Sequence, residues 1–246
     1  MNLIGKAILI TGASSGIGLD AVEQFTKAGA SVIACGRSAV KLEAVKAHFP
    51  KTETIGCDIA DEDDARELKE KVKALGGIDL LYNNAGAKYN AWATNHGSPD
   101  TLINAEREIQ TNYLAVIRLN ELFIPLLEKR AEPVIINTSS ALAYVPSGAM
   151  PTYSASKAAL HSYTVSLRLQ LQKEKSRIKV YELMPPTVDT PFNIAANTPT
   201  LSASVVNEAL IKALATNRFE IRPGRANLLY YLQRLLPDRA LKIINP

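Results

Sequence analysis

Short apolar runs alternate with amphipathic segments along most of the chain. The apolar runs are AILIT (7–11), SVIAC (31–35), TETIGC (52–57), IDLLYN (78–83), PVIINTS (133–139) and RIKVYELM (177–184). Between them lie segments with the apolar periodicity of helices that pack on one face. Strands that are apolar on both faces and alternate with helices predict a parallel sheet covered on both sides, which is a doubly wound α/β fold.

The amphipathic segments predict where the helices lie. They are a helix that begins near Gly16 and helices over 38–49, 61–75 and 105–129. A further helix carries Tyr153 and Lys157, a looser region with some helix follows RIKVYELM, and FEIRP (219–223) predicts a last short strand. No internal repeat or shift in composition marks a boundary. We therefore expect one domain, residues 1–246, with a mostly parallel sheet of about seven strands.

Composition and charge narrow the classes of function. The 246 residues are 47% hydrophobic and 21% charged, which is enough to bury a full core. The net charge of +4 is spread along the chain, so nucleic-acid binding is not indicated, although anionic ligands would be attracted. Cys35 and Cys57 lie in apolar runs and are expected to be reduced core residues. No spacing suits a metal, and the first apolar run is too short to span a bilayer, so we expect a cytoplasmic protein.

Tyr153 and Lys157 form the first candidate for chemistry. Residues four apart on a helix are neighbours, so the ammonium lies beside the phenol and would lower its pKa toward neutrality. Such a pair could supply a proton to a reacting oxygen. Taken alone, it could equally be an exposed tyrosine beside a solvated lysine.

The stretch Thr11-Gly12-Ala13-Ser14-Ser15-Gly16-Ile17-Gly18 joins the first strand to the first helix. Glycines let the backbone turn tightly and approach a pyrophosphate, whose charge is favoured at a helix N-terminus. With a strand before it and a helix after it, this turn predicts a dinucleotide site.

The spacing T-G-x-x-x-G-x-G resembles the fingerprint of the short-chain dehydrogenase/reductase family. Other motifs of that family follow in its order: Asp58-Ile59, Asn83-Asn84-Ala85-Gly86, Asn112, Ser139-Ser140 and Tyr153-x-x-x-Lys157. Within the family, the stretches around Ser140, Tyr153 and Pro185 look most like the DltE-like oxidoreductases, the branch associated with D-alanine transfer genes. The resemblance covers about residues 6 to 192 and implies a single-domain Rossmann fold that binds a nicotinamide dinucleotide.

By this resemblance, the cofactor-binding residues come from the turn and from the strand ends. They are Gly12, Ser14, Ser15, Gly16, Ile17, Gly18, Arg37, Asp58, Ile59, Asn84, Ala85, Gly86, Tyr153, Lys157, Pro185, Val188 and Thr190. Arg37 stands near the position where NAD-specific members have an acidic residue, so NADP(H) is expected to be preferred and NAD(H) possible. Arg37 could instead be a solvated residue, and Asp58 could contact the adenine or cap the next helix.

The resemblance also implies a catalytic tetrad. Tyr153 is the proton donor in carbonyl reduction, and Ser140 hydrogen-bonds the substrate oxygen. Lys157 lowers the pKa of the tyrosine and binds the nicotinamide ribose, while Asn112 holds a water that links Lys157 to solvent. Since side chains alternate along a strand, Ser139 should point away from Ser140.

The last quarter of the chain carries less information. Relatives place a substrate lid after the sixth strand, which corresponds here to 190–217, and 218–246 forms a C-terminal extension.

Several aromatic and apolar residues have two possible roles. They could shape the pocket or pack in the core: Tyr144, Met150, Tyr181 and Phe192. Trp92 and His96 lie in an insertion. The basic tail could lie on a membrane or partner but is expected to pack on the domain edge or in a subunit interface.

The resemblance leaves the function open at several points. It implies an NADP(H)-preferring oxidoreductase that interconverts a ketone or aldehyde and an alcohol, acts on a small molecule and forms a homodimer or homotetramer. A cofactor-bound sensor or scaffold without turnover is one alternative. Epimerisation, dehydration, or action on a carrier-bound or alanyl substrate are others. The sequence does not identify the natural substrate.

Overall fold

A computed structural model of the protein describes residues 1–89, 100–193 and 200–245. Trp92 and His96, and residues 194–199 of the expected lid, lie outside the described residues.

The strands and helices alternate as the hydrophobic pattern predicts. The strands are β1 (Ala7–Thr11), β2 (Ser31–Gly36), β3 (Glu53–Gly56), β4 (Leu80–Asn83), β5 (Val134–Thr138), β6 (Lys179–Leu183) and β7 (Glu220–Ile221). The helices are α1 (Gly16–Lys27), α2 (Ala39–His48), α3 (Glu62–Ala74), α4 (Asp100–Ile109), α5 (Ala115–Leu127), α6 (Pro151–Lys173), α7 (Ala203–Thr216), α8 (Arg225–Leu235) and α9 (Pro237–Ile244).

The strands form one parallel sheet in the order β3-β2-β1-β4-β5-β6-β7. Alternate residues of a strand enter two different cores: Ile8 and Ile10 pack under α1, α2 and α7, whereas Leu9 packs under α3, α5 and α6. The doubly wound prediction is therefore confirmed. The direction of winding changes between β1 and β4, so a crevice is expected at the carboxyl ends of these strands.

The long helix expected over 105–129 is interrupted. A π-helical turn, Gln110–Leu114, separates α4 from α5. A π turn inserts one extra residue into an otherwise α-helical stretch, and the sequence analysis did not predict it. Asn112, in the middle of this turn, is fully buried.

The C-terminal extension packs against the rest of the domain, which is the expected location for the basic tail. Ala226 and Leu229 of α8 and Ala240 of α9 form a small core with Ala141 and Val145. In the same place, the hydroxyl of Tyr144 donates a hydrogen bond of 2.8 Å to the carbonyl of Ala226. Among the described helices, none is both long enough and apolar enough to cross a membrane.

Candidate active site

A cleft of about 810 Å³ opens at the carboxyl ends of the strands. Nearly all of the residues expected to bind the cofactor or to act on the substrate line it. These are Gly12, Ser14, Ser15, Gly16, Ile17, Arg37, Asp58, Ile59, Asn84, Ala85, Gly86, Ser140, Tyr153, Lys157, Pro185, Val188 and Thr190. A volume of this size is typical of small-molecule and cofactor sites. Two expected residues, Gly18 and Asn112, lie behind its wall instead.

The glycine turn requires its glycines. Gly12 and Gly16 have φ values of +65° and +53°, in the left-handed region that disfavours other residues. A side chain on Gly12 would bring its Cβ within 2.8 Å of the Cα of Ala85, so the β1 and β4 turns touch here. Ser15 precedes α1 and makes no side-chain capping bond. The first N–H groups of α1 are therefore left for a ligand to bind.

Gly18 supports this turn from behind. A Cβ at this position would lie 2.1 Å from the carbonyl oxygen of Gly12 and 2.6 Å from Nδ2 of Asn84. Asn84 in turn donates from Nδ2 to the carbonyl of Thr11 at 3.1 Å. Gly18 is buried beneath the turn and does not line the cleft, so its contact with a cofactor stays a prediction.

Thr11 has a role that the sequence analysis did not assign. Its Oγ1 accepts hydrogen bonds of 3.1 Å from the backbone N–H groups of both Asn84 and Ala85. The threonine at the end of β1 therefore fixes the turn after β4, and both turns face the cleft together.

Arg37 and Asp58 meet at the ends of β2 and β3. Their charged groups are 3.7 Å apart and their side chains are 66% and 40% exposed, so the pair contributes little to stability. The cap of α3 is Asp61, whose Oδ1 accepts from the N–H of Asp64 at 3.0 Å. Asp58 is therefore not the cap of that helix, and both side chains remain able to contact a ligand.

Tyr153 and Lys157 lie at the opposite end of the cleft, on α6. Tyr153 is only 8% exposed, and Nζ of Lys157 is 5.8 Å from the centre of its ring. Burial raises the pKa of Tyr153, and a hydrogen bond with Ser140 offsets part of that increase. Burial thus places the pKa of the phenol above its ordinary value, and the expected lowering by Lys157 stays a prediction.

Lys157 is buried as well. Its Nζ donates a hydrogen bond of 2.9 Å to the carbonyl of Thr138, at the end of β5. Burial lowers the pKa of this lysine to about 8. The ammonium is thus held near the phenol by a fixed backbone group and can exchange protons near neutral pH.

Asn112 braces the site. Its Oδ1 accepts from the N–H of Ala87 at 2.8 Å, and its Nδ2 donates to the carbonyl of Ala87 and to Oγ of Ser156 at 2.8 and 2.9 Å. Both N–H donors of the side chain are used within the protein. The side chain therefore ties the turn after β4 to α6, a connection through Ser156 that the sequence analysis missed.

The two serines after β5 point in different directions, as expected. Oγ of Ser140 accepts from the N–H of Leu142 at 3.1 Å and lines the cleft. Oγ of Ser139 donates instead to the carboxylate of Glu182, which is fully buried in β6. Nδ1 of His161 lies 2.9 Å from the same carboxylate, one helical turn beyond Lys157. Glu182 and His161 were assigned no role from the sequence.

The His161–Glu182 pair gives a testable dependence of stability on pH. Hydrogen bonding and attraction by Glu182 raise the pKa of His161 in the folded state, against the opposing effect of burial. Its contribution is therefore full below the unfolded pKa of about 6.5 and is lost as the pH rises through the folded pKa. We expect the deficit in unfolding free energy of His161→Gln to be largest at mildly acidic pH and to shrink above it.

Urea denaturation of the wild type and His161→Gln across this pH range measures that deficit. In a Glu182→Gln background, the pH dependence of the same deficit should disappear. A deficit that stays constant or grows with rising pH would show that the pair does not stabilise the fold in this way.

The remaining aromatic and apolar candidates fall into two groups, those that line the cleft and those that pack inside the protein. Met150 and Phe192 line the cleft, whereas Tyr181 is a fully buried core residue and Tyr144 packs against α8. The structure adds a wall that the sequence analysis did not foresee. It consists of apolar residues of α8 and α9: Leu228, Leu229, Leu232, Ile243 and Ile244.

Comparisons with known proteins agree with this architecture. A family model described as short chain dehydrogenase matches residues 6–200. The uncharacterized oxidoreductase DltE of Bacillus subtilis is 37% identical over 194 residues, covering 78% of this chain and 75% of that protein. The fatty acyl-CoA reductase of Acinetobacter baylyi is 32% identical over 246 residues, covering 96% and 82%. The crystal structure of a short chain dehydrogenase from Burkholderia cenocepacia in complex with NADP has a TM-score of 0.87 at 26% identity and covers 99% of both chains.

Proposed function

Because this chain belongs to the short chain dehydrogenase family, we propose that it is an NADP(H)-preferring oxidoreductase that interconverts a ketone or aldehyde and the corresponding alcohol. One observation carries the proposal. A single cleft has the glycine turn at one end and a buried Tyr153, with Ser140 and Lys157 beside it, at the other.

The residues at the first end suit a dinucleotide. The uncapped N-terminus of α1 and the positive-φ glycines offer backbone N–H groups to a pyrophosphate. Asp58 and Ile59 would contact the adenine, and Asn84, Ala85 and Gly86 would pack on its ribose. Beyond the pyrophosphate, Lys157 would bind the nicotinamide ribose, and Pro185, Val188 and Thr190 would contact the nicotinamide. That the relative from Burkholderia cenocepacia binds NADP supports this assignment.

The other end suits proton transfer to a carbonyl oxygen. When bound, the nicotinamide supplies or accepts the hydride. The raised pKa of Tyr153 keeps its phenol protonated at neutral pH, which is the state needed to donate a proton to the oxygen. Ser140 would donate a hydrogen bond to the same oxygen, and Lys157 would exchange protons with the site. Asn112 would hold the turn and α6 in register for this step.

A substrate with a hydrocarbon chain is a second candidate within the same chemistry. The wall formed by α8 and α9 is apolar, and a relative of nearly full coverage is named fatty acyl-CoA reductase. The panel of test substrates therefore includes long-chain aldehydes and acyl thioesters beside short ketones. Alanyl substrates belong in it as well, since another relative is the DltE oxidoreductase.

The test follows NADPH and NADH oxidation side by side across this panel. We expect turnover of at least one carbonyl class, faster with NADPH. Cofactor binding without turnover of any substrate would favour the sensor or scaffold alternative, and product formation without net cofactor consumption would favour epimerisation or dehydration.

A further inference from the structure

Lys88 is a charged residue of the cleft that the proposed chemistry does not use. It follows the turn after β4, and its Nζ lies 4.9 Å from the centre of the Phe192 ring. That ring centre is 6.0 Å from the centre of the Tyr153 ring. Phe192 is therefore a common neighbour of the ammonium and of the proposed proton donor.

The partners of this ammonium are neutral. Its Nζ donates to Oδ1 of Asn193 at 2.6 Å and otherwise lies over the face of Phe192. None of the ion pairs found among the described residues involves Lys88. The segments 90–99 and 194–199 contain no aspartate or glutamate that could supply a counter-ion. A half-buried charge with neutral partners is costly, and an anionic ligand would reduce that cost.

Glu108 is the acidic residue that acts on Lys88, and it forms no ion pair with it. Burial lowers the pKa of Lys88, and Glu108 acts in the opposite direction. Glu108 is fully buried, and its Oε1 accepts a hydrogen bond of 2.6 Å from the backbone N–H of Tyr89. The other carboxylate oxygen, Oε2, is buried and has no hydrogen-bond partner among the described residues. Glu108 thus offsets part of the charge of Lys88 without forming an ion pair with it, and Lys88 still lines the cleft.

The charge distribution along the cleft points the same way. Asp58 is the single carboxylate among the described lining residues, and it lies beside Arg37 at the end expected to hold adenine. The other charged lining residues are Lys41 of α2 and Lys88, Lys157 and Arg225. The buried carboxylates of Glu108 and Glu182 offset part of the charge of Lys88 and Lys157, and the lining itself carries more cations than anions. An excess of positive charge in a partly enclosed cleft attracts anions.

We propose that Lys88 binds an anionic group of the substrate, and that the protein acts on carbonyl compounds with a carboxylate or phosphate a short chain away from the carbonyl carbon. This proposal rests on the proposed function and specifies its substrate class. Lys88 acts here as a binding residue, so its removal should affect the KM of anionic substrates and leave kcat nearly unchanged.

The test uses matched pairs that differ in charge and by one methyl group. Levulinate and its homologues with one and two more methylene groups are compared with their methyl esters, and a hydroxyketone phosphate ester of similar length tests the phosphate. The wild type should prefer each acid to its ester by about tenfold or more in kcat/KM with NADPH. In Lys88→Met that preference should vanish through a higher KM for the acid, with the ester unaffected. Lys88→Arg should keep most of it.

Lys129→Met serves as the control, because Lys129 is exposed at the end of the α5 region and does not line the cleft. Reduction of esters and acids at equal rates by the wild type would overturn the proposal and leave the proposed function standing. An equal loss for acids and esters in Lys88→Met would assign Lys88 to the positioning of Phe192 and Asn193. A rise in the KM of NADPH alone would assign it to the cofactor.

A binding measurement gives an answer that does not depend on turnover. Calorimetric titration of levulinate and its methyl ester into the protein, with and without NADP⁺, should show acid binding that is about tenfold weaker in Lys88→Met. Acid and ester binding equally to the wild type would contradict the proposal, even if no carbonyl compound were reduced.

Discussion

Replacing Tyr153 with phenylalanine is expected to lower the kcat of carbonyl reduction by about 10²- to 10⁴-fold, the usual contribution of a positioned general acid. The side chain is buried, and its ring packs near Phe192 at 6.0 Å, contacts that phenylalanine would keep. The variant should therefore fold, bind NADPH about as tightly as the wild type, and lose mainly the proton donor.

Tyr163→Phe is the matched control for this experiment. Tyr163 lies on the same helix, α6, and its hydroxyl accepts a hydrogen bond of 3.3 Å from Nδ2 of Asn120. It does not line the cleft, so its loss should leave the rate unchanged. Steady-state rates with a substrate from the panel measure the loss of turnover. The cofactor Kd from fluorescence titration measures whether NADPH binding is retained. Wild-type turnover by Tyr153→Phe would refute the role of the phenol.

Replacing Arg37 with alanine is expected to lower kcat/KM for NADPH by about 10- to 100-fold and to leave NADH almost unaffected. In the proposed complex, the guanidinium would bind the 2′-phosphate through two charge-assisted hydrogen bonds. NADH lacks this phosphate, so it gives the internal control. Because Arg37 is largely exposed, the effect should weaken as the salt concentration rises.

Two further variants sharpen this prediction. Arg37→Lys keeps the charge but loses the planar fork, so its NADPH preference should fall between those of the wild type and Arg37→Ala. Asp58→Asn removes the charge that faces Arg37 at 3.7 Å and should leave the NADPH preference intact or raise it. Equal losses for both cofactors in Arg37→Ala would show that the residue supports the fold of the cleft rather than phosphate selection.

The order of elements was predictable from the sequence, because strands buried on both faces must be apolar throughout. Residues such as Leu9 and Ile10 are buried under opposite layers of helices, and no alternation of polar and apolar residues was compatible with that. The interruption of the long helix around Asn112 was not predictable in the same way. It consists of a single extra residue in one turn, and the sequence analysis found no signal for it.

The family resemblance implied which residues would lie together in the cleft, but it did not give the pKa or the burial of their side chains. The pKa of Tyr153 is set mainly by burial, and its ring neighbour Phe192 is distant in the sequence. Partners distant in sequence were missed for a related reason. His161 and Glu182 are 21 residues apart and meet only because α6 packs on β6.

Helix α6 has 23 residues and begins at a proline. It carries Tyr153, Lys157 and His161 on one face, each four residues after the one before. Because they share one helix, the proposed proton donor Tyr153 and its neighbour Lys157 keep their mutual spacing when the surroundings change. The apolar wall of the cleft, with Leu228 of α8 and Ile243 of α9, belongs to separate pieces of chain. If the proposed function holds, the C-terminal helices can be resurfaced to admit new substrates without changing the pair on α6.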